Sequence, residues 1–131
     1  GKKSPETDMG VFHKVFNGST DDATGTTTLR LGVQYKDVVV GTGAVVQDRA
    51  LVTVKYKLTA GKFGNGLDSS KKFTFRLSKG EVIQGWDIGM VGMQQGGRRR
   101  LIVPPKAGYG SQDIGAGAGA VLHFDITLLS C

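Results

Sequence analysis

From Leu29 onward, apolar and polar residues alternate with period two in separate runs. Leu29, Leu31, Val33 and Tyr35 alternate with Arg30, Gly32 and Gln34. Val52, Val54, Tyr56 and Leu58 alternate with Thr53, Lys55 and Lys57, and Phe73, Phe75 and Leu77 with Thr74 and Arg76. Leu101 and Val103 run up to the break Pro104-Pro105, and Leu122, Phe124, Ile126 and Leu128 alternate with His123, Asp125 and Thr127. A repeat of two puts alternate side chains on one side of an extended chain, so each run reads as a strand with one apolar and one solvated face. Such strands pair antiparallel, because parallel strands buried on both faces read as unbroken apolar runs. One segment breaks the pattern. Ile83, Trp86 and Met90 stand at i, i+3 and i+7 between Gly80 and Gly92, which predicts a helix of two or three turns with one apolar side. Gly85 and Gly89 weaken that helix intrinsically, so packing must hold it, and the glycines let its backbone come close to a sheet. The expected fold is α+β: a curled antiparallel sheet of five to six strands wrapped around one short α-helix.

A chain of 131 residues suits one domain with a modest core. Residues 1–31 are electrically neutral, with four basic and four acidic side chains, so the whole net charge of +6 falls on Gly32–Cys131. Gly18 to Thr28 is polar and rich in turn formers, and reads as a loop or linker. Before it, Val11, Phe12, Val15 and Phe16 form a small apolar cluster that could dock on the domain. Residues 1–31 are therefore expected to be an N-terminal arm and linker, partly ordered or flexible, and residues 32–131 the domain. No apolar run approaches the length of a membrane span, and no apolar block follows Gly1-Lys2-Lys3-Ser4 as in a secretory leader. A cytoplasmic or nuclear monomer is the expectation.

The usual chemistries find few residues to work with. The two histidines, His13 and His123, sit in the arm and on the polar face of a strand, outside any recognisable nucleophile motif. Two separate histidines and the lone thiol of Cys131 do not make a ligand cluster, so neither metal nor cofactor is expected. Gly61 to Gly66 and Gly115 to Ala120 are glycine-rich, but neither matches a phosphate loop, and both read as flexible connections. The basic residues, concentrated at Arg98-Arg99-Arg100, Lys71-Lys72 and Lys55/Lys57, create a field that an acidic protein or a nucleic acid could use, although no aromatics are interleaved as in a stacking platform.

What remains is an aromatic and apolar set with few polar groups. Tyr56, Phe73 and Phe124 fall on strand faces that would pack the helix carrying Trp86, with Val82, Ile83 and Tyr109 nearby in the chain. Phe75 reads as plain core. Two tyrosines and a tryptophan each bring a polar atom that a small core must satisfy. An apolar hollow with a few polar groups at its rim accounts for them better, and that is the usual form of a ligand site.

The run Glu81-Val82-Ile83-Gln84-Gly85-Trp86-Asp87-Ile88-Gly89, then Gly92-Met93, Gly96-Gly97, Arg100-Leu101-Ile102-Val103-Pro104-Pro105 and Gly108-Tyr109-Gly110, closely resembles the FKBP family of peptidyl-prolyl cis-trans isomerases, which bind tacrolimus and rapamycin. Leu67-Asp68-Ser69-Ser70, Phe73-Thr74-Phe75 and Leu122-His123-Phe124-Asp125 fit in the same order, and the resemblance covers about Gly32 to Leu129. It implies Trp86 as the floor beneath a proline ring and Tyr56, Phe73, Val82, Ile83 and Phe124 as walls. It also implies that the backbone N–H of Ile83 and the Tyr109 hydroxyl bond ligand carbonyls, and that Asp68 is the carboxylate at the edge. Leu67 and Ile114 would complete the rim. Proline-containing segments and tacrolimus- or rapamycin-type macrolides are the implied ligands.

The chain departs from the family pattern in three places. Leu67 stands where the family usually has Phe. Only Ser69-Ser70-Lys71-Lys72 separates Asp68 from Phe73, without the Arg that usually faces the Asp, so Lys71 or Lys72 would have to substitute without its bidentate fork. Gly115 to Ala120 replaces the usual apolar, proline-containing flap and offers little area to bury. An isomerase weaker than the family norm is therefore expected, and the alternative is a binding or adaptor module with little turnover.

Overall fold

The alternating runs build one antiparallel sheet. The computed structural model describes residues 19–21, 23–60 and 64–131. In chain order the strands are β1 (Ser19–Asp21), β2 (Thr26–Thr28), β3 (Gln34–Val39), β4 (Leu51–Ala60), β5 (Asn65–Arg76), β6 (Arg98–Val103) and β7 (Leu122–Ser130). An α-helix, α1 (Gln84–Gly89), lies between β5 and β6. The strands lie side by side as β1-β2-β3-β6-β7-β4-β5. Among the described residues this is the expected curled sheet with one short α-helix, but with seven strands instead of five or six. The extra pair is the hairpin β1–β2, in the stretch read as loop or linker. Its strands are three residues each and mostly threonine and other polar residues, so they carry no apolar alternation. They are held by pairing in turn to β3. The cluster at residues 11–16, His13 and residues 61–63 lie outside the described residues.

One alternating run is not a single strand. Between Leu29 and Val33 the chain makes a 3-10 turn at Arg30–Gly32, with Leu31 and Gly32 at positive φ of 58° and 75°. Leu29 and Val33 are buried, while Leu31 faces solvent. The helix is also shorter than its spacing predicts. Glu81 and Val82 are not helical, and Ile83 is extended (φ −60°, ψ 151°), so α1 starts at Gln84 and covers under two turns.

One face of the sheet holds the core. Val52, Val54, Leu58, Leu101, Val103, Phe124, Ile126 and Leu128 all point to it and are buried. The helix lies on this face as closely as backbone allows. A Cβ on Gly85 would come within 2.5 Å of Val103 Cγ1, and one on Gly89 within 2.7 Å of Leu101 Cδ2. These two glycines let a helix with poor intrinsic propensity dock directly on β6, as the sequence suggests.

Arg99 fastens the far end of the helix. It is the middle arginine of three and points inward from β6, where it is almost fully buried. Its guanidinium donates to both carboxylate oxygens of Asp37 on β3 (2.7 and 3.2 Å). It also donates to the carbonyls of Gly89 (2.9 Å) and Val91 (2.8 Å), and lies 3.9 Å from the centre of the Tyr35 ring. Carbonyls at a helix C-terminus lack intrahelical partners and carry the negative end of the dipole, so a cation with several donors suits the position.

Candidate active site

A hollow of about 160 Å³ opens where α1, β4, β5 and β7 meet. It is lined by Tyr56, Leu58, Asp68, Phe73, Glu81, Val82, Ile83, Trp86, Tyr109 and Phe124. Eight of the ten residues expected from the sequence are therefore brought together: Tyr56, Asp68, Phe73, Val82, Ile83, Trp86, Tyr109 and Phe124. Leu67 and Ile114 are not in the lining; both are half-buried against the core beside it. Leu67 lies against the glycine loop, 3.4 Å from where a Gly115 Cβ would be. The reading missed Leu58 and Glu81. Leu58 belongs to the same alternation as Tyr56, and Glu81 opens the motif containing Val82 and Ile83, so both carried a signal.

Trp86, only 3% exposed, forms the floor. Rings meet it edge-on from several sides: Tyr56 with centroids 5.0 Å apart, Phe124 at 5.2 Å and Phe73 at 6.1 Å, with interplanar angles of 79°, 85° and 80°. Phe75 packs behind at 5.4 Å. Edge-to-face geometry is the favoured aromatic arrangement. It leaves the rings few alternatives, so the hollow is a shaped cavity. The indole Nε1 is buried without a hydrogen-bond partner among the described residues. An unpaired donor costs about 1–3 kcal/mol, so tryptophan is kept here against local stability.

A bulge in β5 places Asp68. On β4, Val54, Tyr56 and Leu58 share the inner face. Across the sheet Val54 opposes Phe73, Tyr56 opposes Ser70 and Leu58 opposes Asp68, with a register shift between Val54 and Tyr56. Directly opposed residues share a face. Phe73 and Asp68 are five positions apart and would point to opposite faces of a regular strand. The extra residue in the Ser70–Phe73 stretch reverses that, and both reach the pocket side. The four residues between them are thus part of a continuous strand.

Asp68 has no cationic partner among the described residues, and neither Lys71 nor Lys72 pairs with it. It accepts instead from the Tyr56 hydroxyl at 2.7 Å and from the backbone N–H of Ser69 at 2.8 Å. Burial, and next the bond to Asp68, push the Tyr56 hydroxyl up to about 12. Tyr56 therefore stays protonated and committed to Asp68 through the neutral range. Glu81 is likewise occupied, accepting from the Arg76 N–H at 2.9 Å, while Asp87 on α1 accepts from the Ser78 N–H at 2.8 Å. These two carboxylates tie the turn before the helix to its neighbours. Tyr109 is 43% exposed, the polar group at the mouth most open to a ligand.

The glycine-rich loop has an internal anchor. Asp113 Oδ1 accepts from the N–H groups of Gly115 (2.8 Å) and Gly117 (3.0 Å), and these bonds hold its carboxyl below the usual range. Among the described residues no group of three or more His, Cys, Asp or Glu could hold a metal ion. His123 is exposed on the outer face of β7.

Comparison with known proteins agrees with this geometry. The family model for FKBP-type peptidyl-prolyl cis-trans isomerase matches residues 42–129. The chain is 43% identical over 132 residues to FK506-binding protein 3 of Candida albicans, which covers 98% of this chain and 29% of that protein. It is 46% identical over 101 residues to FK506-binding protein 4 of Chaetomium thermophilum, covering 75% of this chain and 21% of that protein. The chain thus spans less than a third of the length of these curated relatives. Among solved structures, AtFKBP13 superposes with a TM-score of 0.70 at 32% identity, covering 80% of this chain and 97% of the other. FkpA from Escherichia coli superposes with a TM-score of 0.73 at 30% identity, covering 95% and 58%. The aromatic hollow, the helix seated on glycines and these likenesses agree: the chain belongs to the FKBP-type peptidyl-prolyl cis-trans isomerase family.

Proposed function

We propose that this domain accelerates cis-trans rotation about X-Pro peptide bonds in proline-containing segments, and that Tyr56, Asp68, Phe73, Val82, Ile83, Trp86, Tyr109 and Phe124 form its working site. The carrying observation is the edge-on aromatic hollow over Trp86, sized for a single ring. Its volume of about 160 Å³ is well below the ~300–1,000 Å³ of pockets that engulf a drug-sized ligand.

Rotation about the imide breaks no covalent bond, so the reaction requires neither nucleophile nor proton donor. The barrier, about 18–20 kcal/mol, is the loss of amide resonance in the twisted form. The planar imide is strongly polar, and the twisted one is less so. A water-excluding apolar site disfavours the planar forms relative to the twisted one, and a shaped cavity can grip the twisted ring in preference to either. A thousandfold acceleration requires only about 4 kcal/mol of such discrimination. Trp86 supplies the surface under the ring, and Phe73, Val82, Ile83 and Phe124 exclude water. The Ile83 N–H and the Tyr109 hydroxyl hold flanking carbonyls, while the Tyr56–Asp68 bond fixes one wall.

By the same reading the site takes tacrolimus- and rapamycin-type macrolides through one ring, with most of the macrolide resting on the rim. That rim lacks large side chains: Leu67 and Ile114 stand aside, and residues 115–120 are glycine and alanine. Affinity and turnover below the family norm follow. The deciding experiment is a protease-coupled prolyl-peptide assay with and without rapamycin. Acceleration abolished by rapamycin is expected. An intact fold with no acceleration at micromolar protein, yet with macrolide binding by calorimetry, would leave a binding module in place of an enzyme.

A further inference from the structure

The outer face of the sheet, opposite the hollow, carries a charge pattern that the isomerase reading does not use. Two grooves run over it, of about 360 and 410 Å³. Six cations line them, Lys36, Lys55, Lys57, Lys71, Arg98 and Arg100, against the one carboxylate of Asp125. The strand registers place these residues in rows. Lys36 opposes Arg100, Arg100 opposes Asp125, and Asp125 opposes Lys57. In the next row Arg98 opposes Thr127, which opposes Lys55. Arg98 chelates Asp125 through Nε and Nη2 at 2.7 and 2.6 Å, and Arg100 stands 3.7 Å away. Asp125 thus neutralises the middle of the face and leaves a cationic groove on either side.

We infer that this outer face binds an extended acidic polypeptide segment whose carboxylates are separated by uncharged residues. Three observations favour this partner. Successive outward positions on one strand, such as Arg98 and Arg100 or Lys55 and Lys57, lie ~6.7 Å apart, as do alternate side chains of an extended peptide laid beside them. A peptide can put a neutral residue over Asp125, whereas a nucleic acid carries a charge at every nucleotide and would set one against that carboxylate. The one exposed ring in the lining is the His123 imidazole, which makes no platform for successive bases, and a sheet face this broad does not enter a duplex groove ~12 Å wide. Lys57 belongs to both grooves and Lys36 to the one beside β3. Neither lines the isomerase hollow.

The test uses a fluorescent peptide of repeating Glu-Ser, with single-stranded and duplex oligonucleotides of matched charge, followed by anisotropy across a salt series. The peptide should bind, more weakly as salt rises, and more tightly than either oligonucleotide. The double variant Lys36→Glu with Lys57→Glu should weaken peptide binding at least ~10-fold through like-charge repulsion, with rapamycin binding and the unfolding midpoint unchanged. No salt-dependent peptide binding, or binding indifferent to the double charge reversal, would overturn the inference. Tighter oligonucleotide binding lost on the same reversal would assign the face to nucleic acid instead.

Discussion

Arg99→Met is the most demanding test of how this fold holds its site. The substitution keeps an unbranched apolar stem and removes the guanidinium. Four hydrogen bonds go with it, two to Asp37 and one each to the carbonyls of Gly89 and Val91, along with the contact over Tyr35. Removing one partner of a buried ion pair costs about 3–5 kcal/mol, because a charge is left uncompensated. The Asp37 side chain is 29% exposed and can recover some hydration, which places that part at the low end. The two carbonyls add roughly 1 kcal/mol each if nothing replaces the donors. A total of about 5 kcal/mol is expected, a large fraction of the ~5–15 kcal/mol stability of a domain. Arg99→Lys sharpens the test. Lysine keeps the charge but not the planar fork that reaches Asp37 on β3 and two carbonyls at the helix end together, so it should restore less than half of the loss. Urea unfolding followed by the fluorescence of Trp86, the one tryptophan, reads both variants. A loss below about 1 kcal/mol for Arg99→Met, or full recovery with lysine, would refute the clamp.

Other expectations follow from the same geometry. Gly85→Ala gains about 1 kcal/mol of helix propensity, but its Cβ meets a fully buried Val103 at 2.5 Å. Overpacking, at about 1–3 kcal/mol, should win, and adding Val103→Ala should recover much of the loss. Trp86→Phe deletes the unpaired indole donor along with part of the floor, so stability should fall by less than about 1.5 kcal/mol while prolyl turnover drops severalfold; the reverse order of effects would contradict the site. Tyr109→Phe should weaken ligand affinity with little change in the urea midpoint, since the hydroxyl faces the mouth. The Tyr56 hydroxyl, ordinarily near 10, is pushed up to about 12. Its folded-state proton therefore contributes stability that is complete below pH ~10 and lost as pH rises toward ~12. Burial raises the Tyr35 hydroxyl as well, so an ultraviolet titration should show two late tyrosinate steps, of which Tyr56→Phe removes one; an undiminished late amplitude in that variant would exclude the assignment.

Much of this molecule is legible in local pattern because a strand face and a helix face each impose a short repeat. The runs at Val52–Leu58, Phe73–Leu77, Leu101–Val103 and Leu122–Leu128 announced their strands, and Gly85 and Gly89 announced a helix pressed against a sheet. The residues of the hollow were legible for a different reason. The family motif names Val82, Ile83, Trp86 and Tyr109, and alternation puts Tyr56, Phe73 and Phe124 on the matching faces. Local pattern failed where a long-range partner supplies the order. The hairpin Ser19–Asp21 with Thr26–Thr28 has no apolar repeat and exists because β3 offers it an edge. The helix begins later than its spacing suggests because Ile83 stays extended.

The amino-acid order by itself determined the class of fold, the elements that bear it and nearly all the side chains of the hollow, since periodicity and motif are local properties. Tertiary structure alone decided three matters: that a bulge turns Asp68 to the same side as Phe73, that Tyr56 takes the place of the missing cation beside Asp68, and that the middle arginine of three, which shares the face of Leu101 and Val103, meets Asp37 and the helix end. Each depends on the register between strands far apart in the chain. Register is chosen by the packing of whole faces and so leaves no signature in any short stretch of residues.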